Sequence, residues 1–294
     1  MATPAQRTNT WTLDEWYAQS VAGTTGGYVG ENQLWTWGNN QYGGFGQNNK
    51  TTYISPRQIP GTTWAKATGS TTSAAIKTDG TLWTWGRNSS GILGQNLGAA
   101  NAARSSPVQV PGTTWSNISS GVYFMLATKT DGSLWSWGKN SDGVLGQNQA
   151  PANLDGNSSP TQVGTDTTWS NITSAAYASA AVKTDGTLWT WGRNNYGALG
   201  HNQGSTHSIA TYSSPKQVGT NTNWSSVAMS EDGAAYQTFA LKTDGTLWAM
   251  GYGDLGALGQ NNYQNRSSPV QIPGTDWSSI KAESRGGLMA LKQF

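Results

Sequence analysis

Cysteine is absent from this chain, which takes disulfide and thiolate chemistry out of consideration. Charge is scarce as well: 17 Lys and Arg face 15 Asp and Glu in 294 residues, a net charge of +2, and the basic residues are scattered singly. A nucleic-acid footprint needs a basic patch or stripe, so no nucleic-acid partner is expected. Histidine is limited to His201 and His207, with no acid between Ser205 and Pro215. A metal site there would be short of ligands, and neither metal nor cofactor is expected. No stretch approaches the ~20 apolar residues of a membrane helix, and residues 1–30 lack the apolar core of a signal peptide.

Tryptophan and glycine are plentiful instead, with 16 Trp and 38 Gly. Disordered chains are poor in aromatics, so the composition is that of a folded, turn-dense β chain. The segment Leu82-Trp83-Thr84-Trp85-Gly86-Arg87-Asn88-Ser89-Ser90-Gly91-Ile92-Leu93-Gly94 has four further copies, beginning at Leu34, Leu134, Leu188 and Leu247. Their post-aromatic glycines, Gly38, Gly86, Gly138, Gly192 and Gly251, lie 48 to 59 residues apart, the spacing of a repeat architecture. Leu-Trp-Thr-Trp reads as a strand with large aromatics on a pleated surface, and the glycines that follow suit a tight turn into a second short strand. Asn40, Asn88, Asn140 and Asn194 share one slot with Gly253, an exchange that predicts left-handed backbone there.

Upstream units start at Trp64, Trp115, Trp169, Trp224 and Trp277, and Lys-Thr-Asp-Gly recurs at 77–80, 129–132, 183–186 and 242–245. Asp-Gly between apolar segments predicts a hairpin with a type I′ turn. Each period then holds about four short strands and no helical pattern, as in one blade of a β-propeller. Asp79, Asp131, Asp185 and Asp244 are spent as turn residues, and the other acids show no repeated pairing for acid/base work, so no enzyme is expected. The dinucleotide-like spacing of Gly251-Tyr252-Gly253-Asp254-Leu255-Gly256 is only the fifth copy of the blade turn and lacks a following helix. The paired tryptophans hold one register in every copy, which assigns them to blade core rather than sugar stacking.

The succession Trp-Gly-x-Asn-x-x-Gly-x-Leu-Gly, Ser-Ser-Pro, Trp-Ser-x-Ile and Ala-x-Lys-Thr-Asp-Gly resembles the repeats of the regulator of chromosome condensation family, from Leu34 to Phe294. The resemblance implies an all-β propeller. That family includes a nucleotide exchange factor for a small GTPase, protein-binding modules and a β-lactamase inhibitor, so the fold does not select among activities. Five sets of strands predict five four-stranded blades, or six if residues 16–33 add strands, whereas the family's familiar member has seven. The last apolar segment, Met289-Ala290-Leu291-Lys292-Gln293-Phe294, is placed to pair with the strand opening at Gln33-Leu34 and close the ring.

Residues 1–33 read as an arm, and 34–294 as the propeller. Thr12-Leu13-Asp14-Glu15 fits a capping box, and Leu13, Trp16, Tyr17 and Val21 fall on one helical face. Those four are candidate partner-binding residues, although the stripe could equally plug its own propeller. Trp16 also lies 18 residues before Leu34, as Trp64 does before Leu82, so the segment matches a degenerate upstream unit too. The loops between Leu-Gly and Ser-Pro are longest in three neighbouring repeats, which adds Arg104, Asn153, His207 and Tyr212 as candidate partner contacts. Three expectations follow: a structural protein held in a phage virion or self-assembly by its arm, resembling phage and bacterial propellers; a soluble regulator or inhibitor of an enzyme or small GTPase; and a glycan-binding adhesin.

Overall fold

Leu82-Trp83-Thr84-Trp85-Gly86 forms a strand whose Leu82, Thr84 and Trp85 are all buried, because neighbouring sheets cover both of its faces. The computed structural model describes residues 32–69, 72–97, 103–149, 156–203, 211–230, 236–283 and 287–293, and Gln33–Phe294 form one unit. The helix expected around Leu13 to Val21 lies outside the described residues.

Among the described residues the first strands are β1 (Trp35–Gly38) and β2 (Tyr53–Gln58), which pair with each other. The first complete blade is β3 (Trp64–Gly69), β4 (Thr72–Lys77), β5 (Leu82–Gly86) and β6 (Arg104–Gln109). Blade 2 comprises β7 (Trp115–Ser120), β8 (Phe124–Lys129), β9 (Leu134–Gly138) and β10 (Asn157–Gln162). Blade 3 comprises β11 (Trp169–Ser174), β12 (Ala178–Lys183), β13 (Leu188–Arg193) and β14 (Thr211–Gln217). Blade 4 comprises β15 (Trp224–Met229), β16 (Gln237–Lys242), β17 (Leu247–Gly251) and β18 (Arg266–Ile272). The chain ends with the pair β19 (Trp277–Ala282) and β20 (Leu288–Lys292). Every sheet is an antiparallel meander, and the first strands β3, β7, β11, β15 and β19 are successive neighbours, as in a propeller.

Among the described residues twenty strands make five blades' worth of sheet, with one set divided into the pairs β1–β2 and β19–β20. Among the described residues no pairing joins β20 to β1, so the expected closing contact is not present among them.

The Lys-Thr-Asp-Gly turns hold the blades together at one end. Lys77 N donates to Thr81 O and Gly80 N to Lys77 O, with φ +77° at Gly80 and no positive φ at Asp79. This is a type I turn followed by a glycine bulge rather than the expected type I′, which would need positive φ at both central residues. Asp79 Oδ1 accepts from Thr81 N and Oγ1, and Thr81 Oγ1 in turn accepts from Trp83 Nε1 at 2.9 Å. The same relay recurs at Asp131, Asp185 and Asp244. The hydroxyl and amide donors hold each of these carboxyls below the usual range. The lysine before each turn lays its ammonium over one first-strand and one third-strand tryptophan, as Lys183 does at 4.5 and 4.0 Å. Each such contact contributes about 0.5–1 kcal/mol where the lysine is exposed and about 2 kcal/mol where, as at Lys183 and Lys242, it is buried.

Blades are stitched to one another by the second tryptophan of the third strand. Trp85 Nε1 donates to Gly44 O, Trp137 Nε1 to Ile92 O and Trp191 Nε1 to Val144 O, at 2.7–2.8 Å, each acceptor lying in the turn of the preceding repeat. A second stitch runs the other way. The turn glycines Gly43, Gly91, Gly143 and Gly197 press on Ser105, Ser158, Ser213 and Ser267 of the next blade. Just beyond, Asn48, Asn96, Asn148 and Asn202, all left-handed, donate their backbone N–H to the same four serine carbonyls at 2.6–2.8 Å.

The asparagine slot corrects the sequence-based expectation. Asn88 and Asn194 have φ of −117° and −107°, and Gly253 has −94°. These asparagines are kept for their side chains, not for left-handed backbone. Asn88, Asn140 and Asn194 are buried, and their Oδ1 atoms accept from Leu93, Leu145 and Leu199 N, bracing the turn from inside. At Gly253 a Cβ would lie 2.1 Å from Gln264 O, and the glycine's own N–H donates to Asn265 Oδ1.

Candidate protein-binding face

At the end of the blades opposite the Asp-Gly turns, the third-strand glycine pairs with the first residues of the second and fourth strands, as Gly86 does with Thr72 and Arg104. The residues after the third strand, before the second strand and at the start of the fourth are thereby brought to one rim. The residue after the glycine is Arg87, Lys139 or Arg193 in blades 1 to 3 and Tyr252 in blade 4. The residue before the second strand is Tyr123, Tyr177 or Tyr236 in blades 2 to 4. The two slots are locked by backbone bonds: Lys139 N, Arg193 N and Tyr252 N donate to the carbonyls of Tyr123, Tyr177 and Tyr236 at 2.8–2.9 Å.

In three repeats the turn residue, Tyr42, Asp142 or Tyr196, leans over these slots in the next one. Tyr42 lies under Arg87 with the guanidinium 5.2 Å from the ring, and Arg87 also reaches the Tyr123 ring at 5.8 Å. Lys139 stands 5.3 Å over Tyr123, and Arg193 stands 4.3 Å over Tyr177. Buried Asp142 accepts from Arg193 Nε at 2.8 Å and pairs with its terminal nitrogen at 2.7 Å. Burial weakens the charge on Arg193, but Asp142 and the Tyr236 oxygen outweigh it and hold the guanidinium more firmly protonated than usual. Tyr196, in the next turn, packs on Tyr236 at 5.5 Å and Tyr252 at 4.3 Å. Tyr252 donates to Asp254, an acceptor that with burial raises the phenol above its ordinary value. The outcome is a belt of half-buried tyrosines and basic groups spread over four blades.

Sequence reasoning did not find this belt. The signal was present in the shared slot of Arg87, Lys139 and Arg193, but its meaning depends on a turn in one repeat reaching the next. Of the residues named from sequence, Arg104 and Tyr212 occupy one slot, the start of the fourth strand, on blades 1 and 3. Tyr212 is engaged locally: its hydroxyl bonds Gln203 Oε1, its ring meets His201 edge-on, and Lys216 caps it at 4.5 Å. Leu13, Trp16, Tyr17, Val21, Asn153 and His207 lie outside the described residues. Among the described residues no group of three His, Cys, Asp or Glu could hold a metal ion, and no helix is long and apolar enough to cross a membrane.

Such a fold and rim define a repeat propeller with an aromatic, basic face. The regulator of chromosome condensation (RCC1) repeat model matches residues 79–128, 131–182, 185–235 and 244–282, and the chain belongs to that family. It is similar to human E3 ubiquitin-protein ligase HERC2, 29% identical over 53% of this chain but 3% of the ligase. It is 27% identical to the mitochondrial RCC1 domain-containing protein RUG3 of Arabidopsis thaliana, over 82% of this chain and 55% of that protein. The chain therefore spans a small part of the first relative and about half of the second. Among solved structures, yeast RCC1 (Prp20) bound to Kap60 superposes with a TM-score of 0.74 and 17% identity, over 89% of this chain and 63% of that one. Human WBSCR16 gives 0.72 and 17%, over 88% and 67%.

Proposed function

We propose that this propeller acts by binding a partner protein on its tyrosine and basic belt, as a soluble regulator rather than as a catalyst, with residues 1–33 as an N-terminal arm and 34–294 as the propeller. The belt carries the reading. Tyrosine and arginine are the residues that dominate protein–protein hot spots, and here both are pre-positioned by packing, so little side-chain entropy remains to be lost on docking. The opposite end offers no comparable surface, since its lysines and aspartates are already consumed by tryptophans and threonines. The family supports the reading: yeast RCC1 was solved bound to Kap60. A virion role has no support in the belt or in the relatives and is set aside, as is the adhesin, whose tryptophans are blade core.

The test is a matched pair of variants in a proteome-wide affinity comparison. Proteins retained by the native chain should be lost with Arg87→Ala combined with Arg193→Ala, and kept with Lys242→Ala on the other end. Equal retention by both variants overturns the assignment.

A further inference from the structure

The charge on the belt is handled differently from blade to blade. On blades 3 and 4 carboxylates answer it: Asp142, whose side chain is 6% exposed, pairs with Arg193 at 2.7 Å, and Asp254 accepts from the Tyr252 hydroxyl at 3.1 Å. On blades 1 and 2 the same slot holds Arg87 and Lys139, and the groups that position these two are aromatic. The Arg87 guanidinium lies 5.2 Å from the Tyr42 ring and 5.8 Å from that of Tyr123, and the Lys139 ammonium lies 5.3 Å from the same Tyr123 ring. Two cations from neighbouring blades thus sit within 6 Å of one phenol.

A ring face attracts a cation through its quadrupole but carries no charge of its own, so these contacts place the two cations without neutralising them. At the opposite end of the blades Lys183 shows the contrast: it too lies over aromatic rings, but its ammonium is also paired with Asp166 at 2.8 Å. The backbone fixes both belt positions, since Thr72 Oγ1 donates to Arg87 O at 2.7 Å and Lys139 N donates to Tyr123 O at 2.9 Å. All three side chains are half-buried, which restrains their stems before anything docks.

We infer that the partner meets the belt with an acidic segment, and that its carboxylates are received at Tyr123 between blades 1 and 2, by Arg87 and Lys139 together. The occupant follows from the chemistry of the pair. Arg87 offers a planar fork of N–H donors that matches a carboxylate, and Lys139 adds a point charge on the same ring. The asymmetry of the belt gives the segment its place, because Arg193, in the same slot one blade further on, already has its carboxylate in Asp142. This assignment rests on the belt being the partner-binding face and adds the kind of partner it selects.

The experiment follows a labelled peptide of alternating Glu and Gly by fluorescence polarisation on the full chain, beside its Gln-Gly analogue. The Glu-Gly peptide should bind, the analogue should not, and added salt should weaken the complex. Arg87→Gln and Lys139→Gln should each weaken binding about 10-fold, and Lys139→Arg should restore most of it. Lys216→Gln removes the same unit of charge from an exposed lysine on blade 3 and should leave the affinity within about twofold. The Arg87→Glu/Lys139→Glu double variant should take a Lys-Gly peptide in place of the acidic one. No binding of the Glu-Gly peptide overturns the proposal, as do equal losses in Lys139→Gln and Lys216→Gln, or an oligothymidylate that competes as well as the peptide. If the peptide fails while the belt variants still lose their retained proteins, the belt remains the binding face and the acidic segment alone is refuted.

Discussion

Replacing His201 by glutamine should remove an acid-sensitive term from the stability of blade 3 while leaving the neutral-pH fold intact. His201 takes the place that Gln47, Gln95, Gln147 and Gln260 hold in the other repeats. Gln147 Nε2 donates to Ser136 Oγ at 2.9 Å, and His201 Nε2 makes the equivalent contact with Thr190 Oγ1 at 3.0 Å. Burial first, and then the nearby Lys216 ammonium, push the imidazole down from 6.5 to about 4, against the contact with Thr190, which favours protonation. The folded state thus binds this proton less readily than the unfolded chain does. The contribution is fully present above pH 6.5, falls as pH drops toward 4, and is gone below it. Full linkage over that interval would be about 3 kcal/mol, and the part-exposed ring reduces it to about 1–2 kcal/mol. Urea denaturation of both proteins at pH 7.5 and 4.5 isolates the effect, because carboxylate titrations are common to both and cancel in the difference. The wild type should lose about 1–2 kcal/mol more than His201→Gln on acidification. A difference that stays flat, or one that favours the wild type in acid, refutes the account.

Trp191→Phe should cost about 2–4 kcal/mol in chemical denaturation, since it removes the bond to Val144 O and leaves a void between blades 2 and 3, whereas exposed Trp37→Phe should cost under about 0.5 kcal/mol in the single chain. Gly186→Ala places a Cβ 2.0 Å from Thr222 O at φ +77° and should lower the thermal midpoint clearly more than Gly164→Ala, where φ is +60° and nothing lies within 4 Å, a site costing only about 1 kcal/mol. Asn194→Ala abolishes the brace to Leu199 N and Gln203 O in a buried turn and should destabilise by about 2–4 kcal/mol, read in urea.

The propeller and its blade frame were legible because they rest on residues whose roles are local. A tryptophan at alternate positions followed by glycine marks the third strand, and Lys-Thr-Asp-Gly marks the hairpin, whatever surrounds them. Two local readings failed for the same reason: side-chain bonding overrode backbone preference. Asp79 bonds Thr81 and stays out of the left-handed region, leaving Gly80 alone in it. Asn194 serves as a buried brace that a backbone rule does not register. The belt was illegible because Arg87, Tyr123 and Tyr42 are 36 and 45 residues distant along the chain and meet only when a turn overlaps the neighbouring repeat. The division of the fifth blade was hidden likewise, since strand count alone does not say which strands share a sheet.

The two ends of each blade use their side chains differently, and that difference supports the proposed binding face. At the Asp-Gly end every slot is filled alike in the four blades: Lys over two tryptophans, Asp on Thr or Ser, and that hydroxyl on Trp. A surface whose polar groups already answer one another has few left for a partner. At the other end the backbone is equally uniform, held by the same strand pairings and turn bonds, yet the side chains differ from blade to blade: Arg87, Lys139, Arg193 and Tyr252 in one slot, Tyr42, Ser90, Asp142, Tyr196 and Leu255 in another. Fixed positions carrying varied aromatic and charged groups are how a repeat scaffold composes a specific surface from a uniform frame. Leu255 belongs to the same series and is exposed beside β19–β20, so on blade 4 the slot that elsewhere carries tyrosine, serine or aspartate presents an apolar side chain.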